Sequence, residues 1–161
     1  MDQFLHDFRR IIESGKARLL AIPEDKATIG TPDQWSAKEI VGHLIDSAAN
    51  NHQRFARAQL TDDLVCSGYD QNAWVTAQKY NQEAWVDLVE LWAAYNLHLL
   101  HFVSVMPQEV LTRARKKHNL HQVAWKAVDE STPTTLEYFI RDYAGHLQHH
   151  LNQIFERTSP A

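Results

Sequence analysis

The stretch SAKEIVGHLIDSAANNHQRF, residues 36–55, decides the fold. Ser36 stands where a helix N-cap belongs, and Glu39 follows three residues on. That capping-box pattern satisfies two amide donors left orphaned at a helix start. Ile40, Leu44, Ser47, Ala48, Asn51 and Phe55 then recur at spacings of three and four, one face of a helix running to about Leu60. Upstream, Phe4, Leu5, Phe8, Ile11, Ile12, Leu19 and Leu20 mark a first amphipathic helix, weakened at Gly15 and closed near Pro23. Residues 22–35, with Pro23, Gly30 and Pro32, read as a loop.

Downstream, residues 61–68 are polar and turn-like, and 70–80 suit a short helix carrying Trp74. A third long helix is predicted over 81–105, its buried face marked by Trp85, Leu88, Val89, Trp92, Tyr95, Leu99, Phe102 and Val103. Residues 107–133 form a basic, irregular excursion in which a short hairpin is allowed. An excursion of that length is either functional or a solvated connection. A fourth helix starts near Thr134 and carries Leu136, Phe139, Ile140, Tyr143, His146, Leu147, His150 and Ile154 on one face to about Phe155. The expected fold is all-α: a four-helix bundle in one domain, residues 1–161, with long connections between helices two and three and between three and four. Ligand sites in such bundles lie between facing helices.

Composition narrows the function classes. The 161 residues are 44% hydrophobic and 22% charged, which excludes wholesale disorder. A formal charge of −4 gives no electrostatic footing for nucleic acid or an acidic membrane. The N-terminus has acidic residues and no apolar core of a signal peptide, and the richest apolar run, 97–106, is broken by His98, His101 and Ser104. A cytoplasmic protein is expected. Cys66 is the single cysteine, so an internal disulfide and a cysteine-based zinc site are both excluded. Any metal must be held by imidazoles and carboxylates.

The chain has ten histidines. His146 and His150 are four apart and stack on one helix face, close enough to share one cation. Ten scattered histidines would give roughly 0.6 such pairs by chance, so the spacing alone decides nothing. Their place on the inward stripe with Tyr143, Leu147 and Ile154 says more, because buried imidazoles need partners. A shared metal and a pair of ordinary core histidines both meet that need. His43, beside the apolar face of Ile40 and Leu44, is the best third ligand. Asp46, Ser47 and Asn50 lie near the same side, able to orient imidazoles or touch a substrate. His149 is a lower-ranked alternative ligand or a supporting residue. His98 and His101 are expected to pack or face solvent, and His6, His52, His118 and His121 have no organising partner.

Two segments together, Trp35-Ser36-Ala37-Lys38-Glu39-Ile40-Val41-Gly42-His43-Leu44-Ile45-Asp46 and Asp142-Tyr143-Ala144-Gly145-His146-Leu147-Gln148-His149-His150-Leu151-Asn152-Gln153-Ile154, resemble the DinB-like superfamily. The likeness is to its DinB_2 branch, related to the bacillithiol S-transferases, and takes in the Tyr69-Asp70-Gln71 and Trp85 regions. The resemblance implies a four-helix bundle, homodimeric, with a divalent metal on His43, His146 and His150. It also implies transfer of a low-molecular-weight thiol such as bacillithiol, mycothiol or glutathione to an electrophilic small molecule, and no DNA binding.

Three neutral imidazoles leave at least one coordination position open, which suits a catalytic metal. Such a site permits hydrolysis by metal-activated water or activation of a thiol, and a non-catalytic metal- or ligand-binding bundle is the third possibility. Thiol transfer is the leading expectation, hydrolysis the alternative. Zinc is the first choice of metal and nickel the second. Cys66 has no assignable base and is read as a packing residue, so any reacting thiol comes with the cosubstrate.

Overall fold

The computed structural model describes residues 1–31 and 33–158; Pro32, part of the expected 22–35 loop, lies outside them. Four long helices dominate: α1 (Asp2–Leu20), α3 (Ala37–Ala58), α5 (Trp85–Ser104) and α8 (Leu136–Thr158). Short helices fill the connections: α2 (Glu24–Ala27), α4 (Gln71–Gln78), α6 (Gln108–Thr112) and α7 (Leu120–Val123). Among the described residues there is no strand, only three isolated bridges. The all-α bundle expected from periodicity is what forms.

The long helices pack as α1 on α5, α5 on α3, α3 on α8 and α8 on α1, which closes a ring. The first and second long helices therefore lie across a diagonal, as do the third and fourth. Chain-adjacent pairs on a diagonal cannot be joined by tight turns, which accounts for the long connections from α1 to α3 and from α5 to α8; the connection from α3 to α5 joins neighbours. The core inside the ring holds Phe8, Ile12 and Leu19 of α1, Trp92 of α5, Phe55 of α3 and Leu147 and Leu151 of α8, all at most 1% exposed. At Gly15 the ring of Trp92 and the Leu151 methyl would each meet an added Cβ at 3.0 Å, so the glycine that weakens α1 locally lets α5 and α8 approach.

The start of α3 carries the capping box read from the sequence. Ser36 Oγ accepts from the Glu39 amide at 3.1 Å, and Glu39 Oε2 accepts from the Ser36 amide at 2.8 Å. Within the same turn, the buried Lys38 ammonium donates to Glu24 Oε1 at 2.7 Å and to the Glu83 carbonyl at 2.6 Å, tying both flanking connections to α3. The indole of Trp85 donates to the Leu19 carbonyl at 3.0 Å and so closes the C-terminus of α1.

Three details depart from the expected outline. Residues 22–35 contain the α2 turn. The third long helix starts at Trp85 and not at 81, because Lys79 adopts the left-handed conformation (φ 52°, ψ 46°) and residues Tyr80–Gln82 form a 3₁₀ turn. This turn drives Tyr80 onto the α3 surface at Gly42, where an added Cβ would collide with the tyrosine ring carbons. The 107–133 excursion holds no hairpin. Its backbone pairs instead with other segments: the Leu64 amide with the Lys117 carbonyl, the Asn119 amide with the Leu64 carbonyl, and Arg115 with Thr134 in both directions. Arg115, 1% exposed, donates to the Thr61 carbonyl at 2.7 Å. The excursion is thus packed structure, and His118 belongs to it through a 2.9 Å contact of Nε2 with the Thr132 carbonyl.

Gly42→Ala is expected to destabilise the protein by about 1–3 kcal/mol, the range for overpacking, despite the better helix propensity of alanine. Chemical denaturation would measure it. The double variant Gly42→Ala/Tyr80→Ala should lose less than the sum of its single variants, since removing the ring removes the clash.

Candidate metal centre

His43 on α3 and His146 and His150 on α8 converge where these two helices pack. Each offers a ring nitrogen, and the three nitrogens all lie within 4.8 Å of one another. Ring centroids are 5.3 Å apart for His43 and His146, 5.0 Å for His43 and His150, and 4.6 Å for His146 and His150. The i,i+4 spacing stacks the two α8 imidazoles one turn apart, and α3 delivers the third from across the interface.

Nε2 of His43 lies 3.4 Å from Nε2 of His146. That exceeds the usual 2.7–3.2 Å of a hydrogen bond to nitrogen-bound hydrogen. It matches two nitrogens on one tetrahedral ion, which at bond lengths of about 2.0–2.1 Å sit roughly 3.3 Å apart. Nδ1 of His150 lies 2.9 Å from Gln153 Oε1, an acceptor only, so Nδ1 carries the proton and Nε2 keeps its lone pair free. Nδ1 of His43 is buried with no partner among protein atoms, and the Trp35 ring lies 5.2 Å from the His43 ring. The donor set therefore fits a divalent metal such as zinc.

Burial is the main reason these imidazoles stay neutral. It holds His43 down at about 4, with the neighbouring His150 adding to the effect. It holds His146 at about 3, with His150, His43 and His149 adding. His150 is also lowered by burial, against an opposing pull from its Gln153 contact. Neutral imidazoles are ready ligands at pH 7, with no proton to displace.

The site opens into a cavity of about 450 Å³. From α3 the wall takes His43, Ser47, Asn51 and Arg54; from α8 it takes Phe139, Asp142, Tyr143 and His146. Residues 68–71 and 122–125 complete it. Asp142 shapes the second of these loops, because its two carboxylate oxygens accept from the Trp125 and Lys126 amides at 2.8 Å each. This sets the Trp125 ring 6.3 Å from His146 and 5.5 Å from His149. The 107–133 excursion therefore supplies part of the wall. The Tyr143 hydroxyl is committed to Asn96 Oδ1 at 2.6 Å. Tyr69 also lines the cavity; burial, with the Asp46 carboxylate adding, pushes its phenol up to about 12 against the opposing pulls of Arg54 and a hydrogen bond with Ser47, so it stays protonated at neutral pH.

The three supporting candidates fall elsewhere. Asp46 turns to the opposite flank of α3, where Oδ1 accepts from the Tyr80 hydroxyl at 2.7 Å and from Gln78 Nε2 at 2.6 Å. Asn50 donates back to the Asp46 carbonyl at 2.9 Å and faces a different hollow, the one around Cys66. At about 100° per residue, Ser47, Asn51 and Arg54 lie to one side of His43 and Asp46 and Asn50 to the other, a distinction of a few tens of degrees. His149 is exposed and packs on Trp125, outside the group of three. His98 meets His52, with ring centroids 5.1 Å apart, away from this site. Arg54 and Trp125 were not legible as site residues. The α3 series 43, 47, 51, 54 holds a polar stripe that could have pointed to Arg54, whereas Trp125 depends on a loop. Cys66 lies outside the cavity, its amide and carbonyl both bonded to the Asn119 side chain, and burial raises its thiol.

No family model and no curated protein matches the sequence. Among solved structures, the fold is similar to that of YfiT from Bacillus subtilis, described as a probable metal-dependent hydrolase with an unusual four-helix bundle topology. The TM-score is 0.75 at 17% identity, covering 98% of this chain and 87% of that one. The likeness defines the class of fold: a four-helix bundle with long connections. No helix among the described residues is long and apolar enough to cross a membrane.

Because the folded imidazoles lie below the free value of 6.5, the unfolded chain binds more protons once the pH drops below that value. The metal-free protein should keep full stability above pH 6.5 and lose it progressively toward about pH 3. Thermal unfolding between pH 7.5 and 4 would show the fall, and His146→Gln should flatten it.

Proposed function

We propose that the protein is a metal-dependent enzyme acting on a small molecule, with His43, His146 and His150 holding a divalent cation at one end of the cavity. The observation that carries this reading is the convergence of three neutral imidazole nitrogens within 4.8 Å, with two of the three residues, His43 and His146, lining a cavity of about 450 Å³. Zinc is the expected ion and nickel the second choice. A divalent cation there would supply Lewis-acid polarisation and a lowered pKa for a bound water or thiol.

The chain's own groups do the rest. Gln153 fixes the tautomer of His150. Trp125 and Phe139 give the cavity its apolar wall. Tyr69 offers a phenolic proton to a substrate oxygen. Hydrolysis is the first reading of the reaction, supported by the description of YfiT. Transfer of a low-molecular-weight thiol, implied by the DinB-like resemblance, is the second. The position of Cys66 is compatible with it: since the protein's one thiol stands outside the cavity, the reacting thiol would arrive as cosubstrate.

Purified protein is expected to carry about one equivalent of metal, falling at least tenfold in His43→Ala or His150→Ala, as measured by plasma emission spectrometry. Unchanged stoichiometry in both variants would sink the site. An assay of aryl esters and amides, set beside a screen of electrophiles with added thiols, separates the two reactions. Turnover without thiol is expected for hydrolysis, and strict thiol dependence would assign the transferase.

A further inference from the structure

Eleven residues beyond His43 on the same helix, about 16 Å along its axis, Arg54 lines the other end of the cavity. It is 9% exposed. Two hydrogen bonds hold it: Nη2 to the Ser67 carbonyl at 2.7 Å and Nη1 to Asn51 Oδ1 at 3.4 Å. Its guanidinium carbon lies 6.0 Å from the centroids of both Tyr69 and Phe139. Nε is buried with no partner among protein atoms. Arginine stays charged in proteins, so this is a buried cation.

No carboxylate forms an ion pair with it among the described residues. The two acids that line the same cavity are engaged by backbone amides. Asp142 accepts from Trp125 and Lys126, and Asp70 accepts from Ala73 at 3.0 Å. A buried charge without a counter-ion is expensive, and proteins retain one where a ligand supplies the opposite charge.

We infer that Arg54 is the anchor for a carboxylate on the substrate, whose reacting group then lies toward the three histidines. This rests on the reading of the cavity as the substrate site. A planar carboxylate suits the guanidinium fork, which offers paired N–H donors at a fixed spacing. One charge is favoured over two, because Asp70 and Asp142 face the same space and repel a dianion such as a phosphate monoester. Tyr69 and Phe139 flank the guanidinium and would take the apolar body of the molecule.

The test uses the full-length, metal-free protein and two probes of one shape, 4-phenylbutyrate and the neutral 4-phenylbutanamide. Calorimetric titration should show the carboxylate binding at least about tenfold tighter than the amide, the scale of a charge-assisted pair. Arg54→Gln should reduce that preference below about twofold. Arg54→Lys, which keeps the charge and loses the fork, should bind the acid severalfold more weakly than the wild type while still preferring it to the amide. The lysine variant also keeps the experiment readable if the glutamine variant does not fold. Nuclear Overhauser contacts from the probe should reach Phe139 and Tyr143. Equal binding of acid and amide, no binding of the acid at millimolar concentration, a preference undiminished in both variants, or contacts to Leu64 and Cys66 in the neighbouring hollow would each overturn the inference. Loss of the metal reading would show in the metal analysis and leave this titration untouched.

Discussion

The face that α3 presses against α8 is partly polar, and the rest of the structure is arranged around that fact. His43, Ser47, Asn51 and Arg54 share this face with apolar core residues such as Ala48 and Phe55. A buried polar group without a partner costs on the order of 1–3 kcal/mol, more if charged. A bundle free to optimise stability alone would fill these positions with leucine. Here the helices hold two of the three imidazoles, His43 and His146, and a guanidinium along one cavity, whose wall they share with segments 68–71 and 122–125.

Those loops are fixed by buried contacts that have nothing to do with chemistry themselves. Tyr80 fits against α3 only because residue 42 is glycine, and its hydroxyl then engages Asp46. Asp142, one turn before His146, spends both oxygens on the backbone at 125 and 126 and so brings Trp125 beside the histidines. Arg115 and Asn119 tie the 107–133 excursion to the segment before α4. The diagonal placement of α5 and α8 makes their long connection unavoidable, and the fold uses it, with the connection between α3 and α5, as cavity wall.

Much of this was legible in the chain. The Ser36–Glu39 capping box and the three-four periodicities gave four helices with nearly correct ends, because both are local signals. The exception is instructive. The start of α5 was placed four residues early, since the left-handed turn at Lys79 carries no glycine or asparagine to announce it. His146 and His150 read as inward from their stripe and His43 as the best third ligand beside its apolar face, while the full set was what the family resemblance implied; the fold brings their ring nitrogens within 4.8 Å. The supporting residues were not legible: Asp46 and Asn50 miss the cavity by a small rotation of one helix, which periodicity at 100° per residue cannot resolve against the width of a face.

What the sequence determined by itself was therefore everything set within a helical turn or two: which segments are helices, which side of each is buried, and which imidazoles point inward. Tertiary structure alone decided which helices are neighbours, and hence that α3 faces α8 and completes the three-histidine group. It also decided that Trp125 and Arg54 share one cavity with His43 and His146. The reason is physical. Helix propensity, capping and amphipathicity are properties of residues a few positions apart, whereas a cavity is the space left where distant segments fail to fill the gap between two packed helices.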